Sequence, residues 1–209
     1  MISVAKSFDE CRAALRSREI SCSSCGNPLR PRGFAGTLRK LRGAPGCPDA
    51  RPGPRLRGQC DHCGTSHVLQ PAGLAAYRSD VLPVLVRALL AHVLGGMGAT
   101  RIAVLVGRPV RTVRGWLAQA RVFAARHLPA FTVMLEDLGG QDLVPRIGEN
   151  GPVTELAVVL RALGESAAKR WGDAAIPEWE RVNLICRGRF LSPSLPVSFY
   201  HGLVYPVAE

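Results

Sequence analysis

Long apolar runs are missing from this sequence of 209 residues. No stretch of about 20 consecutive apolar residues occurs, so a membrane-spanning helix is not expected. The most apolar candidate, residues 82–94, is interrupted by Arg87 and His92. The first residues, M-I-S-V-A-K-S-F-D-E-C, lack the charged region and the apolar region of a secretory signal. We therefore expect a cytoplasmic protein with no membrane partner.

Motifs of the common catalytic classes are also missing. The sequence has no G-x-S-x-G turn, no glycine-rich loop that would cradle phosphate, and no recognisable Ser-His-Asp arrangement. We therefore expect a protein that is not an enzyme.

Acidic residues are scarce in the first two thirds of the chain. The net charge of +11 divides into +7 for residues 1–68, +7 for residues 69–130 and −3 for residues 131–209. This distribution favours a polyanionic partner for the first two segments, whereas the negative charge of the third does not favour one.

Four of the seven cysteines occur in two turns of the form C-x-x-C-G, which is the strongest metal-binding pattern in the sequence. The first turn carries Cys22 and Cys25, and the second carries Cys60 and Cys63. The spacing lets both sulfurs of each turn reach one metal, and the glycine permits the sharp turn. We expect one structural Zn²⁺ with four thiolate ligands, and a small ribbon of strands around the turns.

Other interpretations of these cysteines were considered. A redox C-x-x-C normally stands alone beside a helix, and a cytosolic compartment disfavours disulfides. His62 or His67 could replace one cysteine ligand. Cys11, Cys47 and Cys186 have no partner at zinc spacing and are given no metal role.

The segment between the two turns, residues 28–58, is basic and rich in proline and glycine. It is interpreted either as a loop that touches the DNA backbone or as an ordinary solvated loop.

Residues 80–126 predict three helices. The first is expected to begin at Asp80, which can cap it, and to end at Gly95-Gly96. Its apolar stripe consists of Leu82, Leu85, Val86, Leu89, Leu90, Val93 and Leu94. A short second helix is expected to begin at Thr100 as its cap and to end at Gly107. Pro109 is expected to start the third.

The third helix has two contrasting faces. At 100° per residue, one side carries an apolar stripe of Val113, Trp116, Leu117, Ala120 and Ala124. The roughly opposite side carries Arg111, Arg114 and Arg121. A helix-turn-helix needs one face for the core and one for phosphates and base edges. The periodicity alone fits a helical hairpin with a solvated basic face equally well.

After Leu128-Pro129 the pattern changes. We expect a short helix over F-T-V-M-L-E-D-L, a linker, a helix over residues 153–171, a helix over residues 177–187 and an apolar, proline-punctuated tail. The expected fold is mainly α with a small β zinc ribbon. Its parts are a zinc-ribbon domain (1–70), a three-helix helix-turn-helix domain (71–130) and a helical C-terminal region (131–209) for partner docking or dimerisation.

The segment R-I-A-V-L-V-G-R-P-V-R-T-V-R-G-W-L resembles the helix-turn-helix of bacterial regulators and transposases. Together with the preceding C-x-x-C-G turns it is similar to a bacterial zinc-ribbon and helix-turn-helix family associated with mobile elements. The resemblance covers about residues 20–128. It implies zinc ligation by the four cysteines and DNA contacts from Arg108, Arg111, Thr112 and Arg114. Gly115 departs from relatives that carry a basic or polar residue there.

The expected function is sequence-specific binding of double-stranded DNA, as a nucleoid-associated transcriptional regulator or mobile-element accessory protein. A homodimer or a recombinase or transposase partner is a further expectation. Two alternatives stay open: a non-catalytic fragment or subunit of a transposase, and a zinc-ribbon module that binds protein. Residues 131–209 are too few for the ribonuclease-H-like domain that strand transfer requires.

Overall fold

The computed structural model describes residues 2–4, 8–36, 41–43, 45, 55–75, 79–140, 142, 150–172 and 176–192. These residues form four strands: β1 (Ile2–Val4), β2 (Leu29–Phe34), β3 (Leu56–Cys60) and β4 (Ser66–Pro71). They also form six helices: α1 (Phe8–Arg16), α2 (Leu82–Val93), α3 (Ala99–Val106), α4 (Val110–Asp137), α5 (Pro152–Trp171) and α6 (Glu178–Ile185). The predicted mainly helical class with a small sheet is thus observed. Cys47 and the tail from residue 193 lie outside the described residues.

The sheet follows the order β1-β4-β3-β2, with β2 at one edge. Strands β2, β3 and β4 pair antiparallel, whereas β1 runs parallel to β4. Helix α1 packs on this sheet and shares a small apolar core with it, through Cys11, Leu15 and Leu29 among others. Cys11 is therefore a buried member of this apolar core.

Helix α2 begins at Leu82 with Pro83 in its first turn and buries most of the predicted stripe. Two expectations about its ends are wrong. The N-cap is Val81 and makes no side-chain cap bond, so Asp80 does not cap the helix. Leu94 lies beyond the last turn and is 74% exposed, because the chain turns toward Gly95-Gly96 before it can reach the core.

Helices α3 and α4 are joined by a tight turn. Gly107 has φ 61° and ψ 44°, and its N–H donates to Ala103 and Val104 carbonyls. This left-handed C-cap is the role predicted for it. The start of α3 differs from the prediction: Gly98 occupies the N-cap position and Thr100 lies inside the first turn.

Helix α4 runs unbroken for 28 residues, which corrects the expected break after Pro129. Pro129 removes one backbone donor in mid-helix. Phe131 and Leu135, two and six residues further on, are fully buried, and α4 packs against α5. The apolar contacts of the last turns hold the helix together despite the proline. The domain boundary predicted between residues 130 and 131 falls inside α4, and one buried cluster continues across it.

Helices α5 and α6 pack back on the rest of the molecule. One side of α5 is fully buried, through Leu156, Val159, Leu160 and Leu163. Asn183 in α6 donates hydrogen bonds to the carbonyls of Ala72 (2.7 Å) and Leu74 (2.9 Å), in the segment that joins β4 to α2. The C-terminal helices therefore brace the junction between the sheet and the helical core. Within the described residues, no helix is both long enough and apolar enough to cross a membrane.

Candidate metal centre and basic helix face

The two C-x-x-C-G turns have the same backbone geometry. In the first, Gly26 N–H donates to the Cys22 carbonyl at 2.9 Å and φ of Gly26 is 75°. In the second, Gly64 N–H donates to the Cys60 carbonyl at 3.0 Å and φ of Gly64 is 71°. Glycine enters this left-handed region without steric cost, so each turn closes tightly and aims both of its sulfurs to one side.

The four predicted ligands come together. The Sγ atoms of Cys22, Cys25, Cys60 and Cys63 all lie within 4.8 Å of one another. Between the turns, Cys22 Sγ lies 3.6 Å from Cys63 Sγ, and Cys25 Sγ lies 3.5 Å from Cys60 Sγ. Four sulfurs at about 2.3 Å from a central zinc would be about 3.8 Å apart. The separations are far above the S–S bond length of about 2.05 Å, so the cysteines are free thiols arranged as a metal site.

Neighbouring polar groups favour thiolate at two of the four positions. Hydrogen bonding with the Thr65 side chain and backbone lowers the pKa of Cys63 to about 6. The backbone and side chain of Asn27 lower the pKa of Cys25. The pKa of Cys60 is raised to about 11: a backbone N–H of Cys63 lowers it, but burial and the bond with Cys25 outweigh that effect. A metal ion bound here would displace the remaining protons.

The two histidines considered as substitute ligands occupy different places. His62 lies exposed within the second turn. His67 is buried, and its Nε2 lies 3.1 Å from Cys22 Sγ, while burial lowers its pKa. The cluster that could hold an ion consists of the four cysteines, with His67 as a hydrogen-bond partner of one sulfur.

The second candidate site is the outward face of α4. All five residues of its predicted apolar stripe are buried, among them Val113 at 0% and Trp116 at 5% exposure. Arg111, Arg114 and Arg121 are exposed, and within the described part of the chain none forms an ion pair. Thr112 is half-buried. Residues 81–135 contain no Asp or Glu, so no acid of this segment neutralises the face.

Arg108, for which the resemblance implies a DNA contact, does not lie on this exposed face. Its Nε donates to Asp80 Oδ1 at 2.5 Å, and its side chain is 10% exposed. Two more of its bonds go to the carbonyls of Gly43 and Gly107. The Arg108 guanidinium therefore holds the α3–α4 turn, and most of its hydrogen-bonding groups are occupied within the protein.

Asp80 is the residue that the sequence reasoning missed. Its buried carboxylate also accepts from Arg42 at 2.9 Å, so it bridges residues 41–43 to the start of α4. A buried carboxylate is stable only when it is paired and hydrogen-bonded. The available signal was compositional: Asp80 is the single acidic residue between Asp61 and Glu136.

We expect the purified protein to carry about one metal ion per chain, measured by elemental mass spectrometry, because the four thiols form one closed site. Cys60→Ser should lose the ion and lower the melting temperature, whereas the matched variant Cys186→Ala, at a buried cysteine of α6's end, should keep it. A Cys60→Ser protein with full metal content would contradict the four-cysteine site.

Asp80→Ala should lower the free energy of unfolding by about 3 kcal/mol or more, because it leaves the mostly buried Arg108 guanidinium without its partner. Arg42→Ala is the matched control. The Arg42 side chain is 41% exposed, so losing it should cost about 1 kcal/mol or less. Chemical denaturation measures both. Equal losses of unfolding free energy in the two variants would show that the Asp80–Arg108 pair stabilises the protein no more than the Asp80–Arg42 pair does.

In comparisons with known proteins, no protein-family model, no curated protein and no solved structure matches this chain.

Proposed function

We propose that the protein binds double-stranded DNA through the exposed face of α4, with α3 and α4 acting as a helix-turn-helix. The observation that carries this proposal is the division of α4. One side of its first three turns is buried in the core, and the other presents Arg111, Arg114 and Arg121 without an acidic neighbour in the same segment. A basic face backed by a rigid core is what docking into a major groove requires.

The spacing of the three arginines suits a polyanion with a regular repeat. Arg111 and Arg114 lie about one turn apart, and Arg121 follows two turns later, about 10 Å along the helix axis. Arginine can bind phosphate oxygens or, bidentately, the O6 and N7 atoms of guanine. Thr112, half-buried beside them, can supply at most one hydroxyl contact. We assign Arg108 to holding the turn.

We further propose that the four-cysteine cluster binds one structural Zn²⁺. A set of four thiolates in a closed tetrahedron is typical of structural zinc and leaves no position for a substrate. The ion would join the turn before β2 to the turn after β3, and so fix the antiparallel ladder between these strands. Its role in this account is to stabilise the sheet.

The sheet and the helix-turn-helix would then act as one body. Asp80 bonds to Arg42, which follows β2, and to Arg108, which precedes α4. The side chain of Pro45 lies close to the α3–α4 turn, where a Cβ added to Gly107 would approach its Cγ to 2.9 Å. Arg42, a basic residue between the cysteine turns, is thereby held beside the start of α4. As for biological role, we propose a transcriptional regulator or a mobile-element accessory protein, on the basis of the sequence resemblance.

The test is binding to a random pool of double-stranded DNA over a series of salt concentrations. The wild type should enrich a short motif, and its affinity should fall steeply with salt. The double variant Arg111→Glu/Arg114→Glu should lose at least tenfold in affinity and reduce the salt slope by about 2, since two phosphate-facing charges are removed.

The control carries the same charge change elsewhere: Arg87→Glu/Arg170→Glu alters exposed arginines of α2 and α5. It should keep the enriched motif and most of the affinity. Equal losses in both double variants would show that net charge, and not the α4 face, governs binding. No enrichment by the wild type would overturn the proposal and direct the search to a protein partner.

A further inference from the structure

A small open cleft lies on the sheet, between α1 and β2, well separated in the chain from α4. Its volume is about 200 Å³, and its floor is apolar, formed by Leu15, Pro31 and Leu56. Binding pockets for drug-sized ligands are usually about 300–1,000 Å³. The α1–β2 cleft is therefore of a size for one ring system and too small for a whole cofactor.

The walls of the cleft combine an aromatic ring with two guanidinium groups. Phe34 is 56% exposed, although it lies in a strand beside an apolar core. The Arg12 guanidinium carbon lies 6.0 Å from the centre of the Phe34 ring, within the range of a cation–π contact. Arg16, one turn after Arg12 on α1, lines the same cleft and is exposed. No acidic residue lines it.

The cleft opens on an edge of the sheet that is also basic. Strand β2 has no neighbour on its outer side within the described sheet, and Pro31 and Gly33 interrupt its regular edge. Arg32 is exposed and donates to Gln59 Oε1, and Arg57 on β3 is exposed as well. Only Arg30 of this group is neutralised, by Asp61 at 2.5 Å. Positive charge thus surrounds a single exposed aromatic ring.

We propose that the α1–β2 cleft binds one unpaired base of a single-stranded nucleic acid, with Arg12 and Arg16 facing the adjoining phosphates. Proteins that hold single strands combine a positive groove with aromatic side chains on which bases stack. Phe34 supplies the ring, Leu15 and Leu56 supply an apolar floor, and the two arginines supply the charge. A base inside a duplex is stacked and cannot enter such a cleft, so the site differs from the α4 face in the form of nucleic acid that it takes.

An acidic peptide is the less favoured occupant. Arginines alone would attract carboxylates, but that attraction makes no use of an exposed ring or of an apolar floor. The proposal does not rest on α4, because none of the residues that line the cleft belongs to a helix of the helical core.

The experiment measures the fluorescence anisotropy of a labelled twelve-nucleotide oligothymidylate as the full-length protein is added at low salt. The wild type should bind, and Phe34→Ala should weaken binding about fivefold to a hundredfold, the range for losing one base–aromatic stack. Phe34→Trp should restore or strengthen binding. Val133→Ala is the matched control, since Val133 on α4 is also 56% exposed, and it should have no effect.

Two further arms separate this site from the proposed function and identify its natural ligand. Arg111→Glu/Arg114→Glu should leave oligothymidylate binding within about twofold, and Phe34→Ala should leave duplex binding unchanged. An oligouridylate of the same length shares the base and phosphate chemistry, and the ratio of the two affinities tells DNA from RNA. Tight binding of either polymer supports the proposal.

Three results would overturn the proposal. The first is no detectable binding of either single strand by the wild type. The second is unchanged affinity in Phe34→Ala. The third is displacement of the oligonucleotide by a poly-glutamate peptide at matched charge concentration, which would identify a general acid-binding surface.

Discussion

The position of the α3–α4 turn beside residues 41–43 depends on one buried carboxylate. Asp80 lies at the point where the sheet region ends and the helical core begins, and it bonds to one arginine from each side. Taking a carboxylate out of water costs several kcal/mol, and good geometry with opposite charges must offset that cost. Two arginines in contact meet this requirement. The α3–α4 turn is thereby fixed relative to residues 41–43, and the orientation of α4 follows from it.

Helix α4 is long enough to present a basic face in its first turns and to be anchored in the core by its last turns. Its first turns carry arginines on the outside and Val113 and Trp116 on the inside. Its last turns bury Phe131 and Leu135, and its packing against α5 anchors the helix. Such an anchor would matter for the DNA binding that we propose, because contacts to bases require positions held to a fraction of an ångström. The braces from α6 to residues 72–74 extend the same support to the start of α2.

Local patterns in the sequence predicted the local features well. The C-x-x-C-G turns, the glycine stop at Gly107 and the apolar stripe of α4 each depend on neighbours within a few residues, and all three are found in the structure. The long-range features could not be predicted. Asp80 meets Arg42 from 38 residues away, so its local context suggested a helix cap instead.

Pro129 and Phe34 illustrate the same limit. The proline rule predicts a helix end, but tertiary packing of the residues that follow outweighs the one lost hydrogen bond. The exposure of Phe34 follows an irregularity in the pairing of β2 with β3 between Pro31 and Phe34. The alternation of inward and outward residues along a regular strand does not predict this exposure. The partner of Arg108 shows the same limit, because Asp80 lies 28 residues away in the sequence.

The most direct test of the central claim places a photo-crosslinker at two exposed positions of the same helix. Ala118 lies between Arg114 and Arg121, whereas Val133 lies on the exposed side four turns later. With double-stranded DNA present, we expect crosslinks to DNA from position 118 and essentially none from position 133. Equal crosslinking from both positions, or crosslinking from position 133 alone, would contradict recognition of DNA by the N-terminal half of α4.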